Sequence, residues 1–129
     1  MPVPFDATEW ISQARRGTLE LCVLTLVSQK PYYGYEMVTY LSKWEQLAAP
    51  EGTLYPLLHR LQKDGYVGVE WQESVSGPPR KYYHLTKSGE GILFAMSSEW
   101  IELSRAIEQL QESEQAQSEN APKPGLDLG

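Results

Sequence analysis

His59, Arg60 and Lys63 crowd into one short segment, with Thr53, Tyr55 and Pro56 just ahead of them, and most of the intervening positions are leucine. Leu54, Leu57, Leu58 and Leu61 fall at i, i+3, i+4 and i+7, so one face of a helix over 51–64 is aliphatic and must be buried. The polar set then occupies the opposite face. Its chemistry is hydrogen-bond donation: a guanidinium at Arg60 can give two bonds to a guanine edge, while the Lys63 ammonium suits phosphate. Asp64 and Gly65 end the helix, and Val67, Val69 and Trp71 alternate through 66–73 as a strand with one buried face. A second strand over 80–85 answers it across 74–79 and carries Arg80 and Lys81. Taken singly, a leucine stripe is an ordinary core helix and a two-base hairpin an ordinary solvated turn. Helix and basic ribbon in direct succession form the pattern of a winged helix-turn-helix, in which the helix enters a major groove and the ribbon lies against the adjoining backbone.

The elements that must hold this unit are legible on either side. Asp6 and Glu9 can form a capping box, with Phe5 and Trp10 as the staple across it, and Gly17 is expected to end that first helix after Arg16. Residues 18–29 are apolar on nearly every side and read as a buried central helix closed by Pro31. The next helix opens at Gly34 or Tyr35 and runs to about Leu47, with Met37, Val38, Leu41 and Trp44 inward. Tyr33 and Tyr35, at its start, are placed to give hydroxyl contacts to phosphate. Pro50 lies in the turn, and Pro56 removes a backbone bond, so the 51–64 helix either begins near Tyr55 or bends in its early turns. After a cap at Thr86, Leu93, Met96, Trp100, Leu103, Ile107 and Leu110 follow at steps of 3, 4, 3, 4 and 3. That spacing is a coiled-coil seam, used either between two copies of the chain or within one. Residues 113–129 turn to Ser, Gln, Glu, Pro and Gly and read as a disordered tail. The expected fold is therefore mainly α with a small β-hairpin: an N-terminal helix and winged helix-turn-helix over 1–87, a long C-terminal dimerisation helix over 88–112, and the tail.

Composition narrows the function. Residues 1–87 hold nine acids and nine bases, a net charge of zero, whereas the remaining 42 residues hold eight acids and two bases and supply the whole net charge of −6. Groove binding depends on the local patch, and 74–87 contains three bases and no acid. Weak non-specific affinity for DNA is expected. The two histidines, His59 and His84, stand without a Gly-rich phosphate loop, an HExxH or a CxxC spacing, so the inventory argues against an enzyme, a metal site or a cofactor. Cys22 sits in the apolar run from Leu19 to Val27 and reads as core rather than as a redox sensor. With no apolar run of membrane length and no leader pattern, a soluble cytoplasmic protein is expected.

Tyr33-Gly34-Tyr35-Glu36, Gly52-Thr53-Leu54-Tyr55-Pro56-Leu57-Leu58, Arg60-Leu61, Asp64-Gly65, Gly77-Pro78-Pro79-Arg80-Lys81-Tyr82-Tyr83 and Leu85-Thr86 together resemble the PadR family of transcriptional regulators, over roughly residues 17 to 112. The resemblance implies a winged-helix homodimer that represses genes by occupying an inverted-repeat operator on double-stranded DNA and lets go when a small molecule binds. The short C-terminal helix resembles the smaller branch of that family, which includes drug-sensing members. Their tryptophan at the matching position lines a pocket between subunits, so the resemblance places Trp100 against its mate, where its flat face can stack on a planar aromatic effector. Leu93, Met96 and Leu103 would line that cavity, with Trp10 and Ile11 of the other subunit closing it and Trp10 joining the dimer interface. The bland counterpart is that Trp100 only fills the interface. A winged helix serving as a protein-binding module, without sequence-specific DNA binding, is the alternative function; a helix lacking groove-facing bases would have favoured it.

Overall fold

The computed structural model describes residues 5–120, with side chains described through Ser113. Its elements run α1 (Thr8–Gln29), β1 (Tyr32–Tyr33), α2 (Gly34–Leu41), α3 (Glu51–Lys63), β2 (Val67–Ser74), β3 (Gly77–Leu85) and α4 (Lys87–Asn120). The chain divides into two compact units, Met1–Ala95 and Met96–Gly129. The expected mainly helical architecture is present, with a sheet larger by one short strand than the hairpin.

The core of the first unit is built by periodic apolar positions. Val23 and Leu24 of α1, Met37 of α2, and Leu54, Leu58 and Leu61 of α3 are fully buried, and Val67 and Tyr83 of the sheet join them. Each such side chain contributes about 1.5–3 kcal/mol on leaving water, so three leucines seat α3 firmly. Leu57, at the margin of the stripe, is half-buried.

Several boundaries differ from expectation, each for a physical reason. Helix α1 continues through Gly17, where a glycine costs only about 1 kcal/mol against alanine and the apolar positions on both sides outweigh it. Its start has no Asp6–Glu9 box: Asp6 Oδ1 accepts instead from the Thr8 N–H at 2.9 Å and its hydroxyl at 2.5 Å, and Ala7 takes the cap position. Those bonds lower the Asp6 carboxyl from its ordinary value. Phe5 and Trp10 stay exposed, so no staple closes. Helix α2 ends at Leu41, short of Leu47, because the chain tightens into successive turns through 42–47. The Arg15 guanidinium holds that segment by donating to the carbonyls of Gln46 at 3.0 Å and Glu45 at 3.1 Å. Trp44 therefore turns outward. Helix α3 begins at Glu51 and contains Pro56, which removes the possibility of a start at Tyr55.

The C-terminus of α3 shows why Gly65 is there. Its φ of +81° lets the Gly65 N–H reach the Gln62 carbonyl at 3.0 Å while the Tyr66 N–H reaches that of Leu61 at 2.9 Å, the two bonds of a Schellman end. Thr86 locks the same corner: its hydroxyl donates to the Gly65 carbonyl at 2.6 Å and accepts from the Gly89 N–H at 3.0 Å, capping α4 as expected.

The sheet is antiparallel with order β1-β3-β2. Strand β3 begins at Gly77, earlier than the expected Arg80, leaving Val75 and Ser76 as a two-residue turn between the paired Ser74 and Gly77. The register slips between Gln72 and Ser74, with Pro78 and Pro79 opposite Glu73; a bulge is where a strand tolerates proline. The buried face of β2 stops at Val69, and Trp71, expected inside, is 66% exposed because the ribbon has by then run past the helices.

Helix α4 extends through Asn120, eight residues into the segment expected to be a disordered tail, whose Glu, Gln and Ala are good helix formers. The rest of that tail, 121–129, lies outside the described residues. Along α4, Leu93 and Met96 are half-buried, while Trp100, Leu103, Ile107 and Leu110 are exposed.

Candidate nucleic-acid interface

At about 100° per residue, Gly52, Pro56, His59 and Lys63 form the ridge of α3 directly opposite its buried leucines. All four are exposed. Thr53 and Arg60 lie on one flank of this ridge and Tyr55 on the other.

The two flanks have different fates. Arg60 turns toward α1, where its Nη2 donates to Glu20 Oε2 at 3.1 Å, and its Nη1 stands 3.7 Å from Asp64 Oδ2. The Glu20 bond, more than any other contact, holds the guanidinium above its usual range. The side chain expected to read a guanine edge is thus paired with two carboxylates on the protein, one of them, Glu20, forty residues away in sequence. His59 and Lys63 have no ion pair among the described residues.

Tyr55 turns the other way, onto α2. Its ring lies over Gly34, so closely that any Cβ at that position would overlap it. The seating of the Tyr55 ring on α2 thus depends on glycine at 34, since a Cβ there would push the ring outward. Burial, then the neighbouring Glu51, push the Tyr55 phenol up, which keeps it a neutral hydroxyl donor.

Between Tyr55 and the ribbon lies a shallow cleft of about 340 Å³ lined by Tyr33, Gly34, Tyr55, Arg80, Lys81 and Tyr83. Arg80 lies 4.6 Å above the Tyr33 ring, which meets Tyr82 edge-on at 5.4 Å, and the Lys81 amine is 5.4 Å from the Tyr83 ring. Such stacking orders both cations without neutralising them, since a ring offers a quadrupole and no proton acceptor of carboxylate strength. Tyr33 itself is fixed by its place before α2, where Glu36 Oε1 accepts its backbone N–H at 3.3 Å. Four of the expected contact residues, Tyr33, Tyr55, Arg80 and Lys81, are therefore gathered at one place. Tyr35 is exposed one residue into α2, and Thr53, Pro56, His59 and Lys63 continue the surface along α3.

Sequence reasoning missed the partners that shape this surface. Glu20, which holds Arg60, and Gly34, which seats Tyr55, carry no local signal, because each acts on a residue far along the chain. Among the described residues no group of three or more His, Cys, Asp or Glu could hold a metal ion, and no helix is long and apolar enough to cross a membrane. Cys22 is half-buried, with burial pushing its thiol up.

Known proteins resemble this chain over most of its length. A transcriptional regulator of Mycobacterium tuberculosis is 33% identical over 93 residues, which cover 72% of this chain and 85% of that protein. Among solved structures, a PadR family transcriptional regulator from Eggerthella lenta matches with a TM-score of 0.74 and 34% identity, over 82% of this chain and 92% of that one. A PadR-like transcriptional regulator from Bacillus cereus matches with a TM-score of 0.70 and 38% identity, over 77% and 96%. The profile of the Transcriptional regulator PadR-like family matches residues 23–93, the stretch that runs from the core of α1 through the ribbon into α4, and the chain belongs to that family.

Proposed function

We propose that this PadR-like regulator is a homodimeric repressor that acts in the cytoplasm by occupying an inverted-repeat operator, reading base edges with α3 and clamping the backbone with the ribbon. The single observation that carries the reading is the cleft that brings Tyr33, Tyr55, Arg80 and Lys81 together beside the exposed ridge of α3. Hydroxyl donors and two ordered cations in one concavity suit phosphate oxygens, which fix the register of a protein on a duplex. The ridge beside it offers Pro56, His59 and Lys63, with Thr53 at its edge, to the groove. Arg60 serves this surface by bracing α3 against α1.

The exposed seam of α4 supports dimerisation. Trp100, Leu103, Ile107 and Leu110 form a row of large apolar side chains in water, which a second copy of the same helix covers by self-complementary packing. Trp100, 46% exposed between Met96 and Leu103, is the residue assigned to a planar aromatic effector whose binding releases the operator. Coupling of about 1–3 kcal/mol between effector and DNA is the scale such a release requires.

The wing tests the DNA reading. Each neutralised phosphate contributes about 0.9 to the slope of log affinity against log salt, so Arg80→Ala with Lys81→Ala should flatten it by about 1.8 per subunit. A double variant that keeps the parent slope would remove the wing from the DNA.

A further inference from the structure

We propose that the outer face of α2 and the turn that follows it hold a second seat for a DNA backbone phosphate, formed by Lys43 in that turn with the hydroxyls of Tyr35, Thr39 and Tyr40 on the helix. The proposal rests on the DNA-binding reading above and extends it to residues outside the ribbon and α3.

A cleft of about 310 Å³ lies there, lined by Tyr33, Tyr35, Glu36, Thr39, Tyr40 and Lys43. Tyr33 is the wall it shares with the cleft at the ribbon. The two concavities are thus neighbours, and a strand whose phosphate occupies the first runs on past Tyr33 toward the second. Their chemistry matches. Each combines tyrosine hydroxyls with a cation stacked on an aromatic ring: the Lys43 amine is 4.4 Å from the centre of Tyr40, as Arg80 is 4.6 Å from Tyr33. Tyr40 is held in turn by Trp44 at 5.7 Å and by Tyr32, edge-on at 6.2 Å. The amine is therefore ordered before any ligand arrives, and among the described residues it has no carboxylate partner, so its charge is available.

Glu36 is the one acid in the lining, and it is already engaged. Its Oε1 accepts the Tyr33 N–H at 3.3 Å and its Oε2 stands 3.7 Å from the Lys30 amine. Lys30 thus offsets the charge that would otherwise repel a phosphate. An ordinary solvated lysine on an exposed turn would show neither the aromatic seat nor a neutralised neighbouring acid.

Binding to a mixed-sequence duplex, measured by fluorescence anisotropy across a range of salt concentrations, tests the seat without knowledge of the operator. The proteins are the full-length parent, Lys43→Ala, Lys43→Arg, and the Arg80→Ala, Lys81→Ala double variant. Loss of one phosphate contact lowers the slope of log affinity against log salt by about 0.9 per subunit bound, which is about eightfold in affinity at 0.1 M salt and vanishes toward 1 M. Lys43→Ala should show this loss, and Lys43→Arg, which keeps the cation, should keep the parent slope. If Lys43→Ala keeps the parent slope while the wing variant flattens it, the seat on α2 is refuted and the DNA reading stands. Equal loss in Lys43→Ala and Lys43→Arg would also refute it, since the charge would not be what acts. A parent with no salt-dependent binding would overturn the seat and the DNA reading together.

Discussion

Arg60→Ala separates a brace from a base reader. The guanidinium is half-exposed and touches Glu20, itself mostly covered, at 3.1 Å and Asp64 at 3.7 Å. Exposed ion pairs contribute about 0.2–1 kcal/mol each, so the substitution should cost about 1 kcal/mol of stability in all. For a domain of the size of the first unit that lowers Tm by about 4–8 °C. A side chain that read guanine would instead contribute roughly 1–3 kcal/mol of discrimination, about five- to 150-fold in the ratio of operator to scrambled affinity. The two outcomes do not overlap. The assay pairs thermal unfolding with anisotropy titrations on an operator and its scrambled counterpart, for Arg60→Ala, Glu20→Gln and the charge swap Glu20→Arg, Arg60→Glu. We expect the two single variants to lose stability and to weaken on both DNAs alike, and the swap to recover part of the loss. An Arg60→Ala protein that melts like the parent but loses more than fivefold in discrimination, with Glu20→Gln silent, would refute the brace.

Three further outcomes follow from the packing. Gly34→Ala should displace the Tyr55 ring, at a modest cost in stability of about 0.5–1.5 kcal/mol because that side chain can move outward, and should weaken DNA binding; a crystal structure of the variant with Tyr55 in place would contradict this. Leu58→Ala, at a fully buried site of α3, should lose about 2–5 kcal/mol in urea unfolding with the slope of the transition unchanged. Leu103→Glu with Ile107→Glu should convert a dimer into a monomer in sedimentation equilibrium, and titration of planar aromatic compounds against tryptophan fluorescence should give quenching that Trp100→Ala abolishes. Undiminished quenching in a Trp100→Ala protein that is still dimeric would place the effector elsewhere.

What could be read from the chain was local and periodic. The leucine stripe of α3, the Gly65 stop, the Thr86 cap and the basic ribbon each declare themselves within a few residues, because helix and strand periods and turn chemistry act over that range. Strand β1 did not: two residues, Tyr32 and Tyr33, show no alternation, and their partners Tyr82 and Tyr83 lie fifty residues on. Helical spacing points Trp44 inward and strand alternation points Trp71 inward, yet both sit where the chain leaves the core, and an indole there faces solvent. Gly17 reads as a stop because a glycine in a helix is a local weakness, which the burial of Leu19 and Val23 on the same helix overrides. Arg60 shows the same limit at the site. Its position beside His59 and Lys63 suggested a groove contact, and only the approach of α1 reveals Glu20 as its partner.

Recognition of a particular DNA sequence by α3 and the ribbon is measured most directly by enrichment of random DNA fragments on the purified full-length protein, followed by sequencing. The expected product is an inverted repeat whose half-site centres lie about 34–36 Å apart, or a multiple of that, as two symmetry-related recognition helices require. His59→Ala should blur specified positions in each half-site, while Arg60→Ala should leave the motif intact. Recovery of no motif, from a protein shown to be folded and dimeric, would contradict the claim and favour a winged helix that binds protein.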